Sequence, residues 1–122
     1  MEIIVSYKKI NVAVIGAGWV GGIRANACAS SPLVNELHIA EINLDRGQKI
    51  ADYSKATSLT TNWKNLINNK SVDAIIIAST PESERFPIVR AALEAKKHVM
   101  IEKPIAPTLR EADEAIKLIE DN

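Results

Sequence analysis

The chain is poor in cysteine, in surplus charge and in long apolar runs, and each shortage removes a class of protein. Cys28 is the one cysteine among 122 residues, so no internal disulfide can brace the fold. It sits among Ala25, Ala27 and Ala29 at a helical position, where a small packing residue is expected rather than a reactive thiol. Fifteen basic and fifteen acidic residues cancel to a formal net charge of +0, which leaves no global field to draw in nucleic acid or an anionic membrane. No apolar run approaches the roughly 18 residues of a membrane span, and no basic-then-apolar leader precedes the first strand pattern. The chain therefore reads as cytoplasmic. With 47% hydrophobic residues and no repeat or linker, residues 1–122 are expected to form one globular domain. No metal-ligand set is assigned.

Glycine is scarce too, five residues in all, and three of them share one motif. Ile10-Asn-Val-Ala-Val-Ile runs directly into Gly16-Ala-Gly18-Trp-Val-Gly21, an apolar strand followed by Gly-x-Gly-x-x-Gly. Without a Cβ, Gly16 can take the tight strand-to-helix turn, Gly18 lets the backbone approach a pyrophosphate, and Gly21 lets the helix pack closely on the strand. The free N–H groups of the first helical turn, those of Trp19 and Val20 among them, then face the phosphates with the positive helix end behind them. Twenty residues after Gly21, at the end of a second apolar run, stands Glu41, placed to accept hydrogen bonds from an adenosine ribose. An acid there favours NAD over NADP, because it pairs with a ribose hydroxyl and repels a 2′-phosphate. Ile42 and Asn43 offer no cation, and Arg46 is the only near candidate.

Further along, helix is expected from residue 19 to 31, stopped by Ser30-Ser31-Pro32, and strand from Glu36 to Glu41. Asn43 can cap a second helix through Ser54 with Leu44, Ile50, Ala51 and Tyr53 on its apolar side. Thr57 to Thr60 is a short β-branched strand. Trp63 then opens a short helix with Leu66 and Ile67 at i+3 and i+4, which makes Trp63 a core anchor. The unbroken run Ala74-Ile-Ile-Ile-Ala78 reads as a central parallel strand buried on both faces. After a turn over 79–86, Pro87 opens a helix to Ala95 whose inner face is Ile88, Val89, Ala92 and Leu93. His98 to Ile101 is the fifth strand. A last helix from Leu109 to Glu120 buries Ala112, Ala115, Ile116 and Ile119. This alternation predicts an α/β fold, a Rossmann-type doubly wound parallel sheet with right-handed crossovers and its binding site at the carboxyl ends of the strands. His38 and His98, in or beside strands, read as structural.

In these residues the chain resembles the NAD(P)-dependent oxidoreductases of the glucose-fructose oxidoreductase and inositol dehydrogenase type, the Gfo/Idh/MocA family. The resemblance covers the whole chain. It rests on the glycine motif, Ala40-Glu41, Val72-Asp-Ala-Ile-Ile-Ile-Ala78-Ser-Thr80-Pro81, Ala91-Ala-Leu-Glu-Ala95, Lys97-His98-Val99 and above all Glu102-Lys103-Pro104. It implies that Ser79 contacts a bound NAD, that Thr80 and Pro81 border its nicotinamide side, that Glu102 helps hold it, and that Lys103 is the catalytic residue reaching the reacting carbon. An ammonium there can orient a hydroxyl or carbonyl and stabilise negative oxygen.

Departures from the family pattern are Arg24, where a His is common, and Glu82 and Arg85, in a stretch where Asn and His are common. The family also carries a second, mostly antiparallel domain and a sixth strand, and this chain ends before both. The resemblance thus implies the NAD-binding portion of an oxidoreductase moving hydride between the cofactor and a small polyol, sugar or related hydroxy or keto compound. The alternative is a non-catalytic dinucleotide-binding or regulatory module. By itself the chain is expected to be inactive and to pair as a homodimer or with the missing C-terminal half, because the edge beside the fifth strand is left open.

Overall fold

The computed structural model describes residues 7–122. Residues 1–6, which bear on the reading of a missing leader, lie outside that range. The elements run in the expected alternation: β1 (Ile10–Ile15), α1 (Trp19–Ser30), β2 (Val34–Ala40), α2 (Leu44–Ser54), β3 (Ser58–Thr60), α3 (Lys64–Ile67), β4 (Ala74–Ile77), α4 (Phe86–Glu94), β5 (His98–Ile101) and α5 (Leu109–Asp121). A single 3-10 turn, Glu82–Glu84, leads into α4. The strands form one five-stranded sheet in the order β3-β2-β1-β4-β5, and its pairings are all parallel. The chain thus builds outward from β1 on one side and then returns to place β4 on the other. Between β1 and β4 the winding reverses, and a crevice opens there at the carboxyl ends.

The period of two along a strand explains why the apolar runs do not alternate with polar residues. In β1, Ala13 and Ile15 join one buried cluster with Ile75 and Ile77 of β4 and Phe86, Ile88, Val89 and Ala92 of α4. Val14 points the other way, into a second cluster with Leu37 and Ile39 of β2, Ala25 of α1 and Ala51 of α2. Both faces are covered, so every position must be apolar. The expected inner face of α4 is buried in full, with Phe86 added to it.

Two helices bury less than their apolar content predicts. On α2 the buried residues are Gly47, Ala51 and Ser54, whereas Leu44 and Tyr53 are 57% and 76% exposed. Small side chains let that helix lie close to the sheet, and the large ones turn outward. On α5 only Ala115 is fully buried, while Ile116 and Ile119 are about half exposed. That helix packs on α4 along a narrow line, with Leu118 at its margin, so its apolar stripe is wider than its contact. β2 also starts two residues earlier than expected, at Val34, because Ile10 pairs with it across an irregularity in register.

Backbone contact at the first turn sets the position of α1. Gly16 has φ +95, and a Cβ there would lie 2.5 Å from the Ser79 Cα. A Cβ on Gly21 would lie 1.7 Å from the Gly16 carbonyl oxygen, whereas one on Gly18 would meet nothing within 4 Å. Gly21→Ala is therefore expected to lower the unfolding midpoint sharply or abolish folding, and Gly18→Ala to leave it near wild type. Thermal denaturation followed by circular dichroism checks this; equal stability of the two variants would contradict the packing described.

Candidate functional site

The ends of the strands are tied to one another beyond the regular ladder. The Gly16 N–H donates to the Ala40 carbonyl at 2.8 Å, Glu41 N–H to the Thr60 carbonyl at 2.9 Å, Ala78 N–H to the Ile15 carbonyl at 2.8 Å, and Glu102 N–H to the Ile77 carbonyl at 3.0 Å. Four consecutive loops are thereby held in one row. A cleft runs over the middle of that row, lined by Gly16 and Gly18 from the first turn, Glu41 from the end of β2, and Ser79, Thr80 and Pro81 from the end of β4. Gly18 presents bare backbone to it. Trp63 packs against the larger core cluster and also forms part of the cleft wall, so the anchor doubles as a lining residue. The Ser79 hydroxyl oxygen is buried without a hydrogen-bond partner.

Glu41 is the buried acid of the site, 4% exposed. Its Oε1 accepts the Ala17 N–H at 2.9 Å and its Oε2 accepts the Asn43 N–H at 2.8 Å. The Arg46 Nη2 donates to both oxygens, at 3.1 and 3.0 Å. Burial alone pushes the carboxyl pKa up, but the Arg46 hydrogen bond, the Asn43 and Ala17 N–H groups and the Arg46 charge outweigh it and hold the pKa below its usual value. Glu41 is thus an ionised clasp between the glycine turn and the start of α2.

The other sequence-assigned residues divide. Trp19 stands at the start of α1, 86% exposed, and with Val20 and Gly21 it lies outside the cleft lining. Glu102 and Lys103 follow β5, one strand further from the cleft, and Lys103 is exposed. They are joined to the cleft by two arginines. Arg24 of α1 donates from Nε to Glu102 Oε1 at 2.5 Å. Arg85 is 3% exposed and spans the two turns: Nε and Nη2 donate to the Ser79 carbonyl at 3.1 and 2.9 Å, and Nη1 to the Glu102 carbonyl at 2.6 Å.

Arg24 and Arg85, departures from the family pattern in the sequence, carry bonds that the sequence does not reveal. A polar residue just ahead of a helix carries no periodic signal, so nothing in the pattern marks Arg85 as buried. His38 is structural as expected, buried with its ring nitrogens 2.6 Å from Ser58 Oγ and 3.1 Å from Glu36 Oε1. His98 is exposed at the start of β5. Cys28 packs beside the smaller core cluster, and burial raises its thiol pKa, which keeps it protonated and unreactive.

A doubly wound parallel sheet with a glycine turn and an acid at adjacent strand ends defines a dinucleotide-binding α/β domain. Residues 10–122 match the model of the oxidoreductase family with an NAD-binding Rossmann fold, Gfo/Idh/MocA, and the chain belongs to that family. An inositol 2-dehydrogenase/D-chiro-inositol 3-dehydrogenase of Shouchella clausii (strain KSM-K16) is 34% identical over 114 residues, which cover 91% of this chain and 32% of the relative. The uncharacterized oxidoreductase YrbE of Bacillus subtilis (strain 168) is 30% identical over 112 residues, 92% of this chain and 33% of its own. Among solved structures, levoglucosan dehydrogenase in complex with NADH and L-sorbose is similar with a TM-score of 0.86 at 29% identity, covering 95% of this chain and 33% of that one. The chain spans about a third of the length of the relatives it matches. Among the described residues, no helix is long and apolar enough to cross a membrane.

The clasp at Glu41 has a pH signature. A carboxyl whose pKa is lower folded than unfolded stabilises the fold fully above the unfolded pKa, and that contribution is lost as pH falls through the folded value. Glu41→Gln should cost about 2 kcal/mol at neutral pH, the scale of charge-assisted bonds lost in a buried site. The gap from wild type should close as pH drops below the ordinary carboxylate range. Denaturant unfolding of both proteins across that range measures it, and a gap independent of pH would remove the ionised clasp.

Proposed function

We propose that this chain binds NAD in the cleft, with the adenosine ribose at Glu41, the pyrophosphate on the glycine turn and the nicotinamide toward Ser79, Thr80 and Pro81. The observation that carries this reading is the pairing of an unobstructed Gly18 backbone with a buried, ionised Glu41 across one cleft. The first-turn N–H groups of α1, Trp19 and Val20 included, supply donors and the positive helix end for the phosphates. The orphaned Ser79 hydroxyl gives the far end of the cleft a polar group in need of a partner. The residues present therefore fit the cofactor.

When bound, the nicotinamide supplies hydride transfer. Lys103, exposed at the end of β5, presents an ammonium able to hold a substrate oxygen and to move its proton, and Glu102 keeps the turn beside it in place. The substrate class is a small polyol, sugar or related hydroxy or keto compound, a reading supported by relatives named for inositol and levoglucosan. Lys103 in open solvent supplies neither a water-poor pocket nor a second acid or base, so this chain alone should not turn over substrate.

Glu41 favours NAD over NADP, since a 2′-phosphate would meet its charge while Arg46 is engaged with the same carboxylate. Calorimetric titration should give tighter binding of NAD, and Glu41→Ala should weaken NAD and narrow the gap between the two cofactors. Tighter NADP binding would overturn the role of Glu41. The same preparation, followed by NADH absorbance with a polyol panel, should show no turnover; activity abolished by Lys103→Ala would make the chain a complete catalyst.

A further inference from the structure

Across the sheet order β3-β2-β1-β4-β5, a dinucleotide with its adenosine ribose at the end of β2 and its pyrophosphate at the β1 turn must lay its second nucleoside over the ends of β4 and β5. The turns there are Ser79-Thr80-Pro81 and Glu102-Lys103-Pro104. Arg85 lies beneath both. Besides its two bonds to the Ser79 carbonyl and the short one to Glu102, its Nη1 is 3.3 Å from the Lys103 carbonyl and 3.3 Å from that of Pro104. The second turn thus wraps three successive carbonyls around one nitrogen.

Every hydrogen-bond partner of this guanidinium is a main-chain oxygen, and the Glu102 carboxylate in the second turn is committed to Arg24. Burying a guanidinium among carbonyls is a costly way to fill space, because the charge loses its water without gaining a counter-ion. An apolar side chain would satisfy packing alone. What the guanidinium provides is a rigid planar fork that fixes the distance and angle between two loops. Lysine, with one nitrogen on a flexible stem, cannot reach both.

We propose that Arg85 is a positioning residue for the nicotinamide half of the site, holding the Ser79 and Lys103 turns in register so that both face the same ring. This rests on the dinucleotide reading above. Its consequence is selective: the nicotinamide end of the ligand depends on Arg85 and the adenosine end does not.

The test compares NADH with ADP-ribose, which keeps the adenosine and pyrophosphate and lacks the nicotinamide, on wild type, Arg85→Lys and Arg85→Gln. Wild type should bind NADH more tightly than ADP-ribose. In both variants that advantage should fall about ten-fold, the scale of one lost bond to a charged group, while ADP-ribose affinity stays unchanged. Parallel weakening of both ligands would make Arg85 a fold support only and overturn the proposal, as would an unchanged advantage.

A folded wild type that binds neither ligand would overturn the dinucleotide reading itself, a result distinct from the other two, and the proposal with it. Circular dichroism establishes that each variant is folded. If neither variant folds, nitrogen-15 spectra of the wild-type Arg85 side chain decide: a protected Nε–H signal that shifts with NADH and not with ADP-ribose supports the proposal. A signal indifferent to NADH overturns it.

Discussion

Everything at the carboxyl edge of the sheet depends on the contact between the Gly16 carbonyl and the backbone of Gly21. It leaves no room for a Cβ, so the first turn of α1 is pressed against the end of β1 by main chain alone. The helix start is thereby fixed relative to the strand ends to within atomic contact. Gly16 itself abuts the backbone at Ser79, which couples the same turn to the end of β4. The two neighbouring loops are thereby packed main chain against main chain.

Charge at this edge is arranged in local pairs, which agrees with a chain whose total charge is +0. Arg46 engages Glu41 and Arg24 engages Glu102, so both acids are already partnered. Arg85 differs in having carbonyls as its only partners. At the cleft the Glu41 carboxylate is held by Arg46 together with the Ala17 and Asn43 N–H groups.

Much of the fold was legible because its signals are local. Strand β4 was recognisable from an unbroken β-branched run, α4 from Pro87 and its apolar stripe, and the α2 cap from Asn43, whose side chain does accept the Arg46 N–H. The glycine turn was legible for the same reason, since a missing Cβ is written in the sequence. What escaped was tertiary. Leu44, Tyr53, Ile116 and Ile119 carry the period of a buried face, yet how much of a stripe is covered depends on how close the neighbouring element comes. The contacts of two arginines escaped for a related reason: Arg24 reaches Glu102 across 78 positions and Arg85 reaches it across 17. Spacing within one helix cannot encode such pairs.

On the proposed reading, a dinucleotide lies across the ends of β2, β1 and β4 in a cleft built by the glycine turn. Backbone amide shifts recorded while NAD is added test it most directly. The largest changes are expected at Gly16 to Val20, at Glu41 to Asn43 and at Ser79 to Thr80, with the opposite edge of the sheet around Tyr53 to Thr57 unmoved. Saturable changes confined to any other surface, or none at all in a folded chain, would contradict it.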